Sequence, residues 1–128
     1  MKKLFLLPVL FLVMACGGGN SSKTEEPKKE EAKSDDLSKN PDYQKGLELV
    51  SKNDCFTCHQ IDDKLNGPPY REVANKYPNN DATIDTLAHK IINGGSGNWG
   101  AIAMAPHKDL SVEDAKAIAK YVLLLKNN

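Results

Sequence analysis

Cys55-Phe56-Thr57-Cys58-His59 sets two thiols three residues apart, with an imidazole directly after the second. This C-x-x-C-H spacing is the attachment signature of covalent c-type haem. At the start of a helical turn the two sulfurs can reach the two vinyl groups of one porphyrin, and the next residue can aim its imidazole at the iron. On this reading Cys55 and Cys58 become thioethers and His59 is the proximal metal ligand. Two other chemistries fit less well. A thioredoxin-like dithiol needs a strand ahead of the pair. Here Asn40-Pro41-Asp42-Tyr43 to Lys52 reads as a short helix with an Asn cap and proline in its first turn. Structural zinc needs four ligands, and His89 and His107 stand far apart with no second Cys pair. His89, beside Lys90 on the polar side of a helix, reads as surface.

A haem with His on one face needs a second ligand. A lone Met is more often core filler, but Met104 sits in an irregular stretch that ends at Pro106. Met/His is the usual pair of electron-carrying c-type haems, so Met104 is the expected distal ligand. The glycine-rich run Asn93 to Gly100 before it reads as a loop whose backbone can approach a flat cofactor closely.

The elements that position these residues are helical. Tyr43, Leu47 and Val50 recur at i, i+4, i+7 ahead of the Cys pair, and Pro69 to Tyr77 makes a short helix stopped by Pro78. Asp81 to Asn93 places Ile84, Leu87, Ala88 and Ile91 on one face. Ser111-Val112-Glu113-Asp114 reads as a capping box opening a last helix, with Ala115, Ile118, Ala119, Val122 and Leu125 inward. No convincing strand is evident. The expectation is an all-α domain of about four short helices over residues 41–128, folded around one covalent haem. A domain this small has a marginal core of its own, and the cofactor supplies a large apolar body.

Ahead of it, Lys2-Lys3 and the apolar run Leu4 to Ala15 have the form of a signal peptide, residues 1–15. The run is shorter than the roughly 20 residues that span a bilayer. Leu12-Val13-Met14-Ala15-Cys16 resembles a bacterial lipobox, which implies cleavage before Cys16 and its lipidation. Secretion after Ala15, or an uncleaved anchor, is the alternative, and Met14 is unusual at its lipobox position. Residues 16–40 form a Gly/Ser- and Lys/Glu-rich linker that cannot bury enough surface to order itself. As a coil it would reach on the order of 25–30 Å. The three Cys are then all used, one for lipid and two for haem.

Residues 42 to 126 resemble the small bacterial single-haem class I cytochromes c that donate electrons to respiratory oxidases or nitrite reductases. The landmarks are Cys55 to His59, Asn66-Gly67-Pro68-Pro69, Asn93 to Gly100 and Met104-Ala105-Pro106. The resemblance implies that Pro68 offers its carbonyl to the free ring nitrogen of His59. It also implies that Trp99 donates its indole N–H to a haem propionate, with Lys90 as a basic propionate partner. One position departs from the pattern. His107 stands where these cytochromes commonly place an Asn that donates toward the ligand sulfur. An imidazole titrates near neutral pH, so the reduction potential is expected to fall as pH rises through the His107 titration. Potentiometry of His107→Asn against the parent checks this, and identical pH profiles would contradict it.

An iron with both axial positions filled by protein points to a one-electron carrier. The rival readings are a small peroxidase-like or gas-binding haem domain with a labile distal ligand, and a haem-bearing accessory subunit of an oxidase complex. The partners implied are a quinol-oxidising complex as donor and a terminal oxidase or reductase as acceptor. The protein is expected to act as a monomer held by lipid on the periplasmic side of a bacterial membrane. From Pro41 on, ten Lys and Arg against eleven Asp and Glu leave a charge near −1. That balance argues against nucleic acid as a partner.

Overall fold

The computed structural model describes residues 37–127. Helix α1 spans Pro41–Lys52, a single 3-10 turn spans Cys55–Thr57, and α2 spans Tyr70–Lys76. Helix α3 (Asp81–Asn93), strands β1 (Gly95–Gly97) and β2 (Gly100–Met104) and helix α4 (Val112–Leu124) follow. The helix starts come from their caps. The Asn40 side chain accepts from the Asp42 and Tyr43 amides, that of Asn80 from Thr83, and that of Ser111 from Asp114, satisfying donors that have no partner inside the helix. Leu37 to Lys39, placed in the linker by sequence, form a turn whose carbonyls accept from Asn40 and Gln44. The signal-peptide and lipid-site assignments lie outside the described residues.

Helix α4 is the central element. Ala115, Ala117, Ile118, Ala119, Tyr121, Val122 and Leu123 are all buried, and α1, α2 and α3 pack around it. Its closest approach is to α1, where a side chain at Gly46 would collide with Tyr121 Cβ and stand 2.6 Å from the Ala117 carbonyl. Exposed ion pairs join the same helices, Lys120 to Asp42 at 3.5 Å and Lys116 to Asp85 at 2.6 Å. Such pairs contribute about 0–1 kcal/mol each, so apolar packing holds the bundle together.

The Tyr121 side chain is fully buried and its hydroxyl has no hydrogen-bond partner. Burial, with a smaller contribution from Tyr43, pushes its pKa up to about 12. The unfolded phenol ionises near pH 10 while the folded one keeps its proton, so this group removes stability as pH rises from about 10 to about 12. Tyr121→Phe is expected to leave neutral-pH stability unchanged or raise it by up to about 1 kcal/mol, and to lessen the alkaline loss. Urea unfolding at neutral and alkaline pH measures both. A loss above about 1 kcal/mol at neutral pH would show that the hydroxyl is paired.

The one departure from an all-helical fold is the antiparallel hairpin β1–β2, which pairs Gly95 with Met104 and Gly97 with Gly100. Its residues are exposed up to Met104. It therefore lacks the alternation of buried and exposed side chains that marks a strand in sequence. Gly97 and Gly100 flank the Asn98-Trp99 turn at φ 115° and 111°, backbone that only glycine adopts without strain. The domain remains mostly helical.

Candidate functional site

The turn that carries the two thiols begins at Asp54, a non-glycine residue in left-handed backbone, φ 54°. Its carbonyl accepts from both the amide and the hydroxyl of Thr57, at 3.0 and 2.7 Å. This reversal turns the chain from α1 into the Cys55–Thr57 turn. Cys55 is buried and Cys58 exposed, and both are free thiols. Burial pushes the Cys55 thiol pKa up.

His59 is held from three directions. Its Nδ1 lies 2.8 Å from the Pro68 carbonyl. A carbonyl only accepts, so Nδ1 carries the proton and Nε2 keeps its lone pair. The ring stacks on Tyr70, centroids 5.1 Å apart and planes 13° apart. Gly67 closes the third side, because a Cβ there would stand 2.7 Å from Nδ1 and 2.8 Å from Nε2. The segment that supplies these groups is stitched to the turn by Gly67 N–H to Cys58 O at 2.8 Å and Tyr70 N–H to Gln60 O at 2.9 Å.

One cavity of about 690 Å³ brings together Cys55, Cys58, His59, Pro68, Lys90, Trp99 and Met104, every cofactor and metal residue the sequence proposes for the folded domain. That volume falls in the range of about 300–1,000 Å³ usual for cofactor sites. Met104 ends β2 and lines the cavity with its side chain half-buried. Gly94, at φ 68°, sits hard against the Met104 carbonyl, and the His107 amide donates to Ile91 O at 3.1 Å. These contacts fix the backbone on both sides of Met104. The Lys90 ammonium lies against Gly95, 2.9 Å from where a Cβ would be.

The fit to a covalent haem is good in its donors: paired thiols, a lone pair fixed in direction, and a thioether on a second element. His107 also lines the cavity, with Nδ1 buried and unpartnered. Among the described residues His107 Nδ1 has no hydrogen-bond partner, so the bond toward the Met104 sulfur is not made through that nitrogen.

The cytochrome c family model matches residues 43–126. The chain belongs to the cytochrome c family. Cytochrome c-552 of Nitrosomonas europaea is 43% identical over 83 residues, 65% of this chain and 81% of that protein. Cytochrome c-551 of Azotobacter vinelandii is 48% identical over 81 residues, 63% of this chain and 98% of that one. The crystal structure of wild-type Nitrosomonas europaea cytochrome c552 matches with a TM-score of 0.59 at 44% identity, covering 62% of this chain and 99% of that chain. The protein is thus a small single-haem class I cytochrome c, an electron carrier with one covalent haem c and not an enzyme.

Three contributors escape the sequence. Gly67 is visible only as part of a landmark, and nothing in its spacing reveals contact with His59. Tyr70 reads as an ordinary helix start. Nothing in the sequence singles out Lys76, whose ammonium stands 4.3 Å from the Trp99 ring centre.

Proposed function

We propose that this cytochrome c passes single electrons along a respiratory chain, from a quinol-oxidising complex to a terminal oxidase or reductase. His59 and Met104 would hold the iron of its haem. Bound in the cavity, the haem supplies a reversible one-electron change at its iron. Cys55 and Cys58 fix it to the chain as thioethers. Pro68, through Nδ1 of His59, holds the imidazole in one tautomer and strengthens it as a ligand. Met104, on a second element lining the cavity, would supply the other protein ligand, and an iron held by both residues would offer no substrate site. Trp99 and Lys90, both lining the cavity, would receive the cofactor's carboxylates, since an indole N–H and an ammonium both favour anions.

Partners dock at a small apolar patch on the hairpin, where Ile102 is 67% exposed among small neighbours. Residues 1–15 act as the export signal, and residues 16–40 as a leash from a lipid on Cys16. The domain from residue 41 then works as a monomer on the periplasmic side of the membrane. The convergence of seven proposed residues on one cavity, with His59 already oriented by Pro68, is the observation that carries this reading.

Expression of the full chain in a bacterium that attaches haem c, with mild detergent extraction, tests it. The intact mass should include one haem and a lipid-modified Cys16, and Cys16→Ser should move the protein from membrane to soluble fraction. Identical fractionation of Cys16→Ser and parent would contradict the anchor, and haem lost on acid-acetone extraction would contradict the thioethers.

A further inference from the structure

The hairpin is anchored at its Met104 end, but few hydrogen bonds tie the part that carries Trp99 to the rest of the domain. Among the described residues, two hydrogen bonds join Gly95–Met104 to other elements. Lys76 Nζ donates to the Asn98 carbonyl at 3.0 Å, and Asn98 Nδ2 donates to the Tyr77 hydroxyl at 3.4 Å. The same ammonium stands 4.3 Å from the centre of the Trp99 ring and 5.8 Å from that of Tyr77. A lysine suits this place. It has three donors, so it can bond a carbonyl and still face an indole, and tryptophan is the ring that attracts a cation most strongly.

The charge is also uncompensated. The ion pairs of the described residues engage Lys45, Lys52, Arg71, Lys116 and Lys120, not Lys76 or Lys90. Two ammonium groups outside those ion pairs therefore lie beside the hairpin, Lys90 near Gly95 and Lys76 bonded to Asn98 and facing Trp99. Of the acidic residues lining the cavity, Glu72 lies one turn before Lys76 on α2, and Asp54 lies at the Cys-bearing turn.

We propose that Lys76 is a positioning residue of the redox site. It clamps Trp99, and with it the hairpin that ends in Met104, and it adds positive potential at that corner of the cavity. The inference rests on the carrier reading above. A positive charge near the redox centre favours the electron-rich reduced state, so the clamp raises the reduction potential as well as ordering the hairpin.

The test compares Lys76→Met and Lys76→Arg with the parent, each as the full holoprotein. Lys76 is exposed, so neither change threatens folding. Lys76→Met is expected to speed hydrogen exchange of the Trp99 indole N–H and the hairpin amides about tenfold. It should also shift the oxidised-to-reduced ratio at fixed potential roughly threefold toward oxidised, about 30 mV for a one-electron couple at 59 mV per tenfold. Lys76→Arg keeps the cation over the ring and should retain both properties. Unchanged exchange and potential in Lys76→Met would overturn the proposal. So would faster exchange with an unchanged potential, which would mark Lys76 as structural only. The haem spectrum of the parent tests the carrier reading separately, so the two failures are distinguishable.

Discussion

Met104→Ala is expected to convert an electron carrier into a ligand-binding haem protein. The Met104 backbone is already fixed by Gly94, by the β1–β2 pairing and by the His107 anchor to Ile91. Truncation therefore removes the thioether without bringing another donor to its place. Besides His59, the described imidazoles lining the cavity are His89 on α3 and His107, whose amide is bonded to Ile91 O. The weak far-red absorption of Met–Fe(III) should vanish, and cyanide and CO should bind within the mixing time. The midpoint should fall by at least on the order of a hundredfold in the redox ratio, about 120 mV, because Met ligation raises the potential. Retention of the far-red band in Met104→Ala would show that another residue is the distal ligand.

Gly67→Ala is the second large effect, and it acts from the other face. The added methyl would collide with the His59 ring, 2.7 Å from Nδ1 and 2.8 Å from Nε2. Neither side can yield easily. Gly67 is tied to the Cys58 carbonyl at 2.8 Å and followed by Pro68, and the ring is backed by Tyr70. Movement of the ring breaks its bond to the Pro68 carbonyl and leaves a half-buried donor unpaired. Overpacking and the lost bond together cost about 3 kcal/mol. For a domain under 100 residues that is a fall of roughly 12–24 °C in the unfolding midpoint. Thermal melts of the oxidised holoprotein measure it. A midpoint within a few degrees of the parent would mean that the ring has room to move.

These two substitutions also separate what the sequence makes visible from what it hides. The residues that meet in the cavity were legible because C-x-x-C-H has a fixed spacing and Met104 lies outside every helical pattern. The helices were legible because Asn40, Asn80 and Ser111 each cap one and apolar residues recur on one face. The hairpin was hidden because its strands are glycine-rich and exposed on both faces, with no alternation to read. Close approaches were hidden for a different reason. Gly46 against Tyr121 and Gly67 against His59 depend on which segments cross in space, and a glycine has no side chain to advertise the partner. Lys76 belongs to the same class, since its role depends on an indole 23 positions later in the chain.

The central claim is that the cavity holds one covalent haem closed on both faces by protein. The most direct test is a visible-range redox titration of the purified full chain, run with and without CO. One reversible one-electron transition, with a reduced spectrum that CO does not change, is the predicted result. Rapid CO binding by the reduced parent would contradict the claim.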